Sequence, residues 1–285
     1  MRLGGGKRVR PALLLLAARL FGPSFPGAVS LAVVVELVHT ATLVHDDIID
    51  GADIRRGRPT ANVQWSTAKC VLSGDWMYMQ AFQMALSMRD FRILDVLTNL
   101  TQQMVEGELL QQECLGHQIS RDTYMSLIER KTATLFSACM RLGSIVGRAP
   151  AEVEQKVAAY GHHVGMAFQL IDDALDFTAS EQTLGKPVCS DLREGKMTLP
   201  VIHALQRCTD ADRRVLNTIV EDRGLSGTTQ LELFDILNRY RAFDAVNEEA
   251  RAHTAAAAAM LADLPDSEAK RTLSWIPEFL VTREC

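Results

Sequence analysis

Apolar residues recur three and four positions apart along almost the whole chain, and no convincing run alternates apolar with polar positions. That period predicts an all-α protein. Pro11 can open a first helix reaching about residue 21. A second is expected over about 26–50, and because it is apolar on nearly every side from Leu31 to Val44 it should be central. Residues 51–60, with Gly57 and Pro59, read as a polar connection. Helices are then expected over about 61–88, 90–115 and 121–147, the last with Ser120 as its N-cap. Val157, Tyr160, Val164, Phe168, Ile171 and Leu175 fall on one stripe of a helix over about 152–177. Residues 178–195 lose the period and hold Gly185, Pro187 and Gly195; a loop of that length inside a domain points to function, and a lid is expected. Past Pro200 the helices are more polar, with an alanine-rich stretch at 254–262 and a final helix near 266–283. Nothing in the composition marks a linker or a short repeat, so a single domain, a helical bundle over 1–285, is expected.

Charge changes the picture by exclusion. A formal net charge of −5 and a pI near 5.8 offer a nucleic-acid partner no general attraction, so the conspicuous basic residues should act locally, on small anions. The six cysteines form no CxxC pair and have no histidines at zinc-ligand spacing. Neither a disulfide framework nor a structural zinc is indicated, and a reducing cytoplasm fits. Lys7, Arg8 and Arg10 before Ala12–Ala18 imitate a signal peptide, but Arg19 ends the apolar run early and Phe21-Gly22-Pro23 reads as a helix stop. No uncharged stretch reaches the roughly 18 apolar residues of a membrane span, so any membrane contact is expected to be peripheral.

Chemistry enters with two aspartate clusters of one design, Asp46-Asp47-Ile48-Ile49-Asp50 and Asp172-Asp173-Ala174-Leu175-Asp176, each continuing an apolar helix. Residues three and four apart share a helix face, so the outer carboxylates of each cluster point the same way. Carboxylates held that close repel unless neutralised, and hard divalent cations with oxygen ligands neutralise them best. Arg55 and Arg56 follow the first cluster after a short loop. A metal-bridged polyphosphate accounts for both signs of charge: carboxylates hold Mg²⁺, Mg²⁺ holds phosphate oxygens, and arginines fork onto the oxygens that remain. Surface acids balanced by arginines would explain one cluster, but not its repetition on a second apolar helix. Neither cluster has the alternating ligands and distal Glu of an EF-hand loop.

A basic segment, Gly4-Gly5-Gly6-Lys7-Arg8-Val9-Arg10-Pro11, stands just before the first helix, where glycines allow close backbone approach to an anion and the helix N-terminus adds partial positive charge. It lacks the Walker spacing, and Lys131, Lys186 and Lys196 would each, taken singly, be surface lysines.

In their order along the chain these residues resemble the trans-prenyl diphosphate synthases, the polyprenyl synthetase branch of the isoprenoid synthase fold. The likeness runs from Gly5 to about Pro200. It takes in the GGKRxRP segment at 5–11, both aspartate-rich motifs, Arg55-Arg56, Gly74-Asp75, Lys131-Thr132, Gln169, Gly185-Lys186 and Glu194-Gly195-Lys196. The resemblance implies a helical bundle around a central cavity. It also implies a head-to-tail condensation, in which an allylic diphosphate ionises and isopentenyl diphosphate attacks the resulting carbocation. Carried over by position, Asp46, Asp50 and Asp172 should ligate Mg²⁺, with Asp47, Asp173 and Asp176 in support. Arg55, Lys131 and Lys186 should hold the allylic diphosphate; Lys7, Arg10, His39 and Arg56 should hold isopentenyl diphosphate. Thr132 and Gln169 should flank the reacting carbons, and Lys196 should close over the leaving group. No histidine is assigned as a base: the departing diphosphate has that role in the family, and His45, His162 and His163 are read as packing residues.

Ala41 and Thr42, five and four positions before Asp46, are small where short-chain relatives often carry an aromatic ring. A long-chain product from a farnesyl or geranylgeranyl starter is therefore expected, as in octaprenyl diphosphate synthases that supply a quinone side chain. Met77, Phe82, Leu100 and Met104 are candidates for the apolar lining, each also explicable as core. The resemblance further implies a homodimer and some tens of residues before GGKRxRP, whereas this sequence has three residues ahead of its first glycine. Rival readings are a short-chain synthase, a noncatalytic partner subunit of a heterodimer, and a class I terpene cyclase, which would not need the GGKRxRP segment.

Overall fold

The computed structural model describes residues 8–23, 25–55, 57–178, 188–222 and 227–281. Helices form where the apolar period placed them: α1 Val9–Arg19, α2 Ala28–Ile49, α4 Thr67–Ser87, α5 Phe91–Cys114 and α8 Ala151–Thr178. Elsewhere the elements depart from the expected spans. The connection after the first acidic cluster contains a small antiparallel hairpin, β1 Ile54–Arg55 and β2 Arg58–Pro59, with Arg55 opposite Arg58. The helix expected over 61–88 breaks into α3 Ala61–Gln64 and α4, because Ser66 is extended and its Oγ accepts from Lys69 N, capping the second piece. The helix expected over 121–147 is α6 Arg121–Ile128 and α7 Thr134–Val146 with one π turn, Glu129–Ala133, between them. Ser120 caps α6 as its sequence predicts.

Further helices among the described residues are α9 Ser190–Arg193, a short helix inside the segment expected to be a loop, α10 Leu199–Arg207, α11 Asp210–Asp222, α12 Gly227–Arg239, α13 Ala242–Leu261 and α14 Glu268–Val281. Of the segment expected to form a lid, residues 179–187 lie outside the described residues.

The chain divides into two compact units. The first comprises residues 1–102, 134–162 and 257–276, the second 103–133, 163–256 and 277–285. In the first, α2 lies along α4 and against α1 and α7, and its Leu31, Val34, Val35, Val38 and Ala41 are fully buried. Among the described helices only α2 is long and apolar enough to cross a membrane, a property shared by core helices packed on several sides. In the second unit, one apolar core runs through Tyr124, Ile128, Leu170, Ile171, Phe177, Leu199, Ile202, Leu233 and Val246, joining α6, the end of α8, α10, α12 and α13. Each acidic motif thus lies near the end of a long helix, the first in one unit and the second in the other.

Candidate functional site

In the first unit, burial sorts the acids that end α2. Asp47 is buried, Asp46 half-buried and Asp50 exposed. The β1–β2 hairpin brings Arg55 back so that its Nε donates to Asp47 Oδ1 at 2.6 Å. Burial pushes the Asp47 carboxyl above the usual carboxylate range, the Arg55 hydrogen bond and charge oppose this, and the Asp50 charge reinforces it. Tyr78 on α4 is pushed up to about 12, by burial first and then by the charges of Asp46 and Asp75. His45 fills the space beside Gly74: Nε2 lies 3.1 Å from Val71 O and 3.7 Å from Asp75 Oδ1, and a Cβ on residue 74 would stand 2.1 Å from it. That glycine lets α2 and α4 approach with the histidine ring between them.

The same unit brings together two residues assigned to isopentenyl diphosphate. Arg10 Nη1 lies 3.1 Å from His39 Nε2, and the Arg10 guanidinium sits 5.1 Å above the Phe136 ring centroid, a cation–π contact that fixes its plane. Arg8, next to them in sequence, pairs with Glu36. Ala41 is fully buried in the α2–α4 seam with Val44, Cys70 and Met77, while Thr42 Oγ1 donates to His39 O at 2.8 Å. Leu100 and Met104 are buried and Phe82 half-buried. Lys7, Arg56 and Lys186 lie outside the described residues.

In the second unit, the end of α8 and the π turn form a hydrogen-bond chain. Thr132 Oγ1 donates to Gln169 Oε1 at 2.7 Å, Gln169 Nε2 donates to Asp173 Oδ1 at 2.6 Å, and Tyr124 Oη donates to Asp173 Oδ2 at 2.6 Å. Asp173 and Tyr124 are buried. Burial drives the Asp173 carboxyl well up, as do the charges of Asp191 and Asp172, against the pull of its two hydrogen-bond donors. Asp172 is exposed, whereas Asp176 is buried and its Oδ2 accepts from Asp191 N at 3.1 Å. Through α9 this contact anchors Lys196, whose N donates to Asp191 O at 2.7 Å and whose Nζ meets Glu194 Oε2 at 2.6 Å.

Lys131 stands in the π turn, a helix irregularity common at functional sites. Its Nζ lies 2.5 Å from Glu108 Oε2 and 2.9 Å from Gln111 Oε1, both on α5. The sequence reading named neither of these residues, nor Tyr124. The available signal was Gly107, a helix-interior glycine between Glu106 and Glu108. A Cβ there would stand 2.9 Å from Arg130 Cβ and 3.3 Å from Lys131 N, so the bulged turn fits against α5 only at a glycine.

Carboxylate oxygen at both motifs is the ligand type that hard divalent cations take, and a bound cation would offset the desolvation that raises Asp47 and Asp173. Among the described residues no three acid, histidine or cysteine side chains enclose an ion by themselves. Mg²⁺ suits such a setting, since it is held by one or two carboxylates together with waters and substrate phosphates.

The family model for polyprenyl synthetases matches residues 2–236. The octaprenyl diphosphate synthase of Escherichia coli (strain K12) is 38% identical over 283 residues, 99% of this chain and 87% of that protein. The crystal structure of a decaprenyl diphosphate synthase from Rhodobacter capsulatus has a TM-score of 0.93 at 37% identity, covering 98% of this chain and 86% of that one. A polyprenyl synthase from Caulobacter crescentus CB15, complexed with calcium and isoprenyl diphosphate, also has a TM-score of 0.93, at 33% identity, covering 99% of this chain and 86% of that one. With two acidic motifs on core helices and matches of this extent, the chain belongs to the polyprenyl synthetase family.

Proposed function

We propose that this chain is a Mg²⁺-dependent head-to-tail trans-prenyltransferase. It joins isopentenyl diphosphate to a farnesyl or geranylgeranyl diphosphate and extends the product to a long all-trans polyprenyl diphosphate. The observation that carries this reading is the division of the six aspartates. The three assigned as ligands, Asp46, Asp50 and Asp172, are accessible or half-buried, while Asp47, Asp173 and Asp176 are buried behind them.

In each extension the allylic C–O bond breaks and diphosphate leaves with the electron pair. The double bond of isopentenyl diphosphate then attacks the allylic carbon, and the adduct gives a proton to the departing diphosphate. Mg²⁺, when bound, neutralises the charge growing on the leaving oxygens. Lys131, with Arg55 and Lys186, holds the allylic diphosphate, and Lys196 closes over it, placing positive charge where the negative charge develops. Arg10 and His39, with Lys7 and Arg56, hold isopentenyl diphosphate. Thr132 and Gln169, locked to Asp173, present a neutral polar wall to the reacting carbons.

Long products are supported by the small Ala41 and Thr42 and by similarity to an octaprenyl and a decaprenyl synthase. The product is expected to enter quinone synthesis in the cytoplasm. A homodimer is supported by α4, where Leu72, Trp76, Met79 and Leu86 recur on one exposed helix face. The test is purified protein with Mg²⁺, labelled isopentenyl diphosphate and farnesyl diphosphate, with products read by mass. Long polyprenyl diphosphates are expected. Turnover only after a second chain is added would make this a partner subunit, and a product stopping one isoprene unit beyond farnesyl would make it a short-chain enzyme.

A further inference from the structure

Glu108 is a carboxylate placed among cations that the proposed reaction assigns to a diphosphate. Its Oε1 accepts from Gln112 Nε2 at 3.0 Å, one helical turn along α5, while Oε2 meets Lys131 Nζ at 2.5 Å. Burial alone would raise its pKa, but the charge and hydrogen bond of Lys131, the Gln112 hydrogen bond and the charge of Lys196 together bring the carboxyl below its ordinary value. Glu108 therefore stays ionised and sits in the field of both Lys131 and Lys196. Gln111, three positions on, shares the helix face: its Oε1 accepts from Lys131 Nζ, and its Nε2 is buried with no hydrogen-bond partner. A buried amide N–H without an acceptor is costly, and an anionic oxygen arriving beside Lys131 would satisfy it.

From this arrangement we infer that Glu108 and Gln111 are a pair with opposite roles toward the diphosphate, an inference that rests on the function proposed above. Glu108 is a positioning residue: its carboxylate occupies the place of the anion before substrate arrives and keeps the Lys131 ammonium in the π turn aimed at the site. Gln111 is a binding residue: it fixes Lys131 through its oxygen and offers its amide N–H₂ to a diphosphate oxygen. Substrate has to draw Lys131 partly away from Glu108, so the carboxylate weakens ground-state binding while it maintains the geometry that turnover needs.

The signs of the two effects make the inference testable. Binding of inorganic diphosphate is measured by calorimetry with Mg²⁺, beside steady-state kinetics with the allylic substrate varied. In Glu108→Gln, diphosphate should bind about threefold more tightly, since a competing half-buried charge is gone. Its kcat should fall about tenfold or more, since Lys131 loses its guide. In Gln111→Ala, diphosphate binding should weaken and the KM for the allylic diphosphate should rise. Glu108→Asp, which keeps the charge on a shorter stem, should lie between wild type and Glu108→Gln in kcat.

A purely structural role for Glu108 would lower the folded fraction and leave both constants of the folded enzyme unchanged. That result, or weaker diphosphate binding in both variants, overturns the inference. If Glu108→Gln does not fold, Gln111→Ala and Glu108→Asp decide it by the same readouts. Wild type that neither turns over nor binds diphosphate would instead overturn the proposed function itself.

Discussion

The two acidic motifs have the same spacing of aspartates and opposite surroundings. At the end of α2, the middle acid Asp47 is matched by a guanidinium, and its partner Arg55 arrives on a two-stranded hairpin eight residues along the chain. At the end of α8, the middle acid Asp173 is held by two neutral donors, Tyr124 from α6 and Gln169 from one turn earlier on its own helix. Burial raises both carboxyls. Only the first has a cation among the causes that oppose it, and the second is raised further by Asp191 and Asp172. Helical spacing accounts for the buried middle carboxylate of each motif, but not for the last one, which is exposed at Asp50 and buried at Asp176. The donors around the middle carboxylate also differ between the motifs, a cation at the first and two neutral groups at the second.

The comparison breaks most visibly if the motifs are unequal in catalysis. Asp46→Asn and Asp172→Asn should each reduce kcat by about a hundredfold or more, the scale of losing one fixed electrostatic element. A variant retaining a tenth of wild-type turnover would remove its motif from the metal site. Stability should separate the motifs next. Tyr124→Phe leaves a buried carboxyl oxygen of Asp173 short of one donor and should cost about 1–3 kcal/mol in urea unfolding. Arg55→Gln, at a side chain over a third exposed, should cost less than that.

A smaller effect should appear in the pH dependence of metal-free protein. Asp173 keeps its proton in the folded chain from its ordinary 3.8 up toward about 8, whereas the unfolded chain gives it up near the lower value. The wild type should therefore lose stability as pH rises across that window, and Asp173→Asn, an amide that mimics the protonated acid, should not. Melting curves in chelator at about pH 5 and pH 8 measure this, each kcal/mol moving the midpoint by about 2–4 °C in a chain of this size. A gap between variant and wild type that fails to widen toward pH 8 would place the ionised carboxylate in the folded state. Subtlest is Ala41→Phe, expected to shorten the products by chromatography and, because Ala41 is fully buried beside Met77, to cost about 1–3 kcal/mol by overpacking.

The amino-acid sequence by itself determined the helical class, the Ser120 cap and the long helix ending in the second motif. All of these depend on residues within about one helical turn of one another, where a 3.6-residue period leaves little choice. It also held the family pattern that selected Arg10, His39, Lys131, Thr132 and Gln169. Tertiary structure alone decided that Arg10 stacks on Phe136 beside His39, that Tyr124 reaches Asp173, and that Lys131 is turned toward Glu108 and Gln111 by a π bulge seated on Gly107. Those partners stand some 20 or more residues apart, so which side chains meet depends on how helices dock, and docking is set by packed volume and desolvation rather than by local spacing.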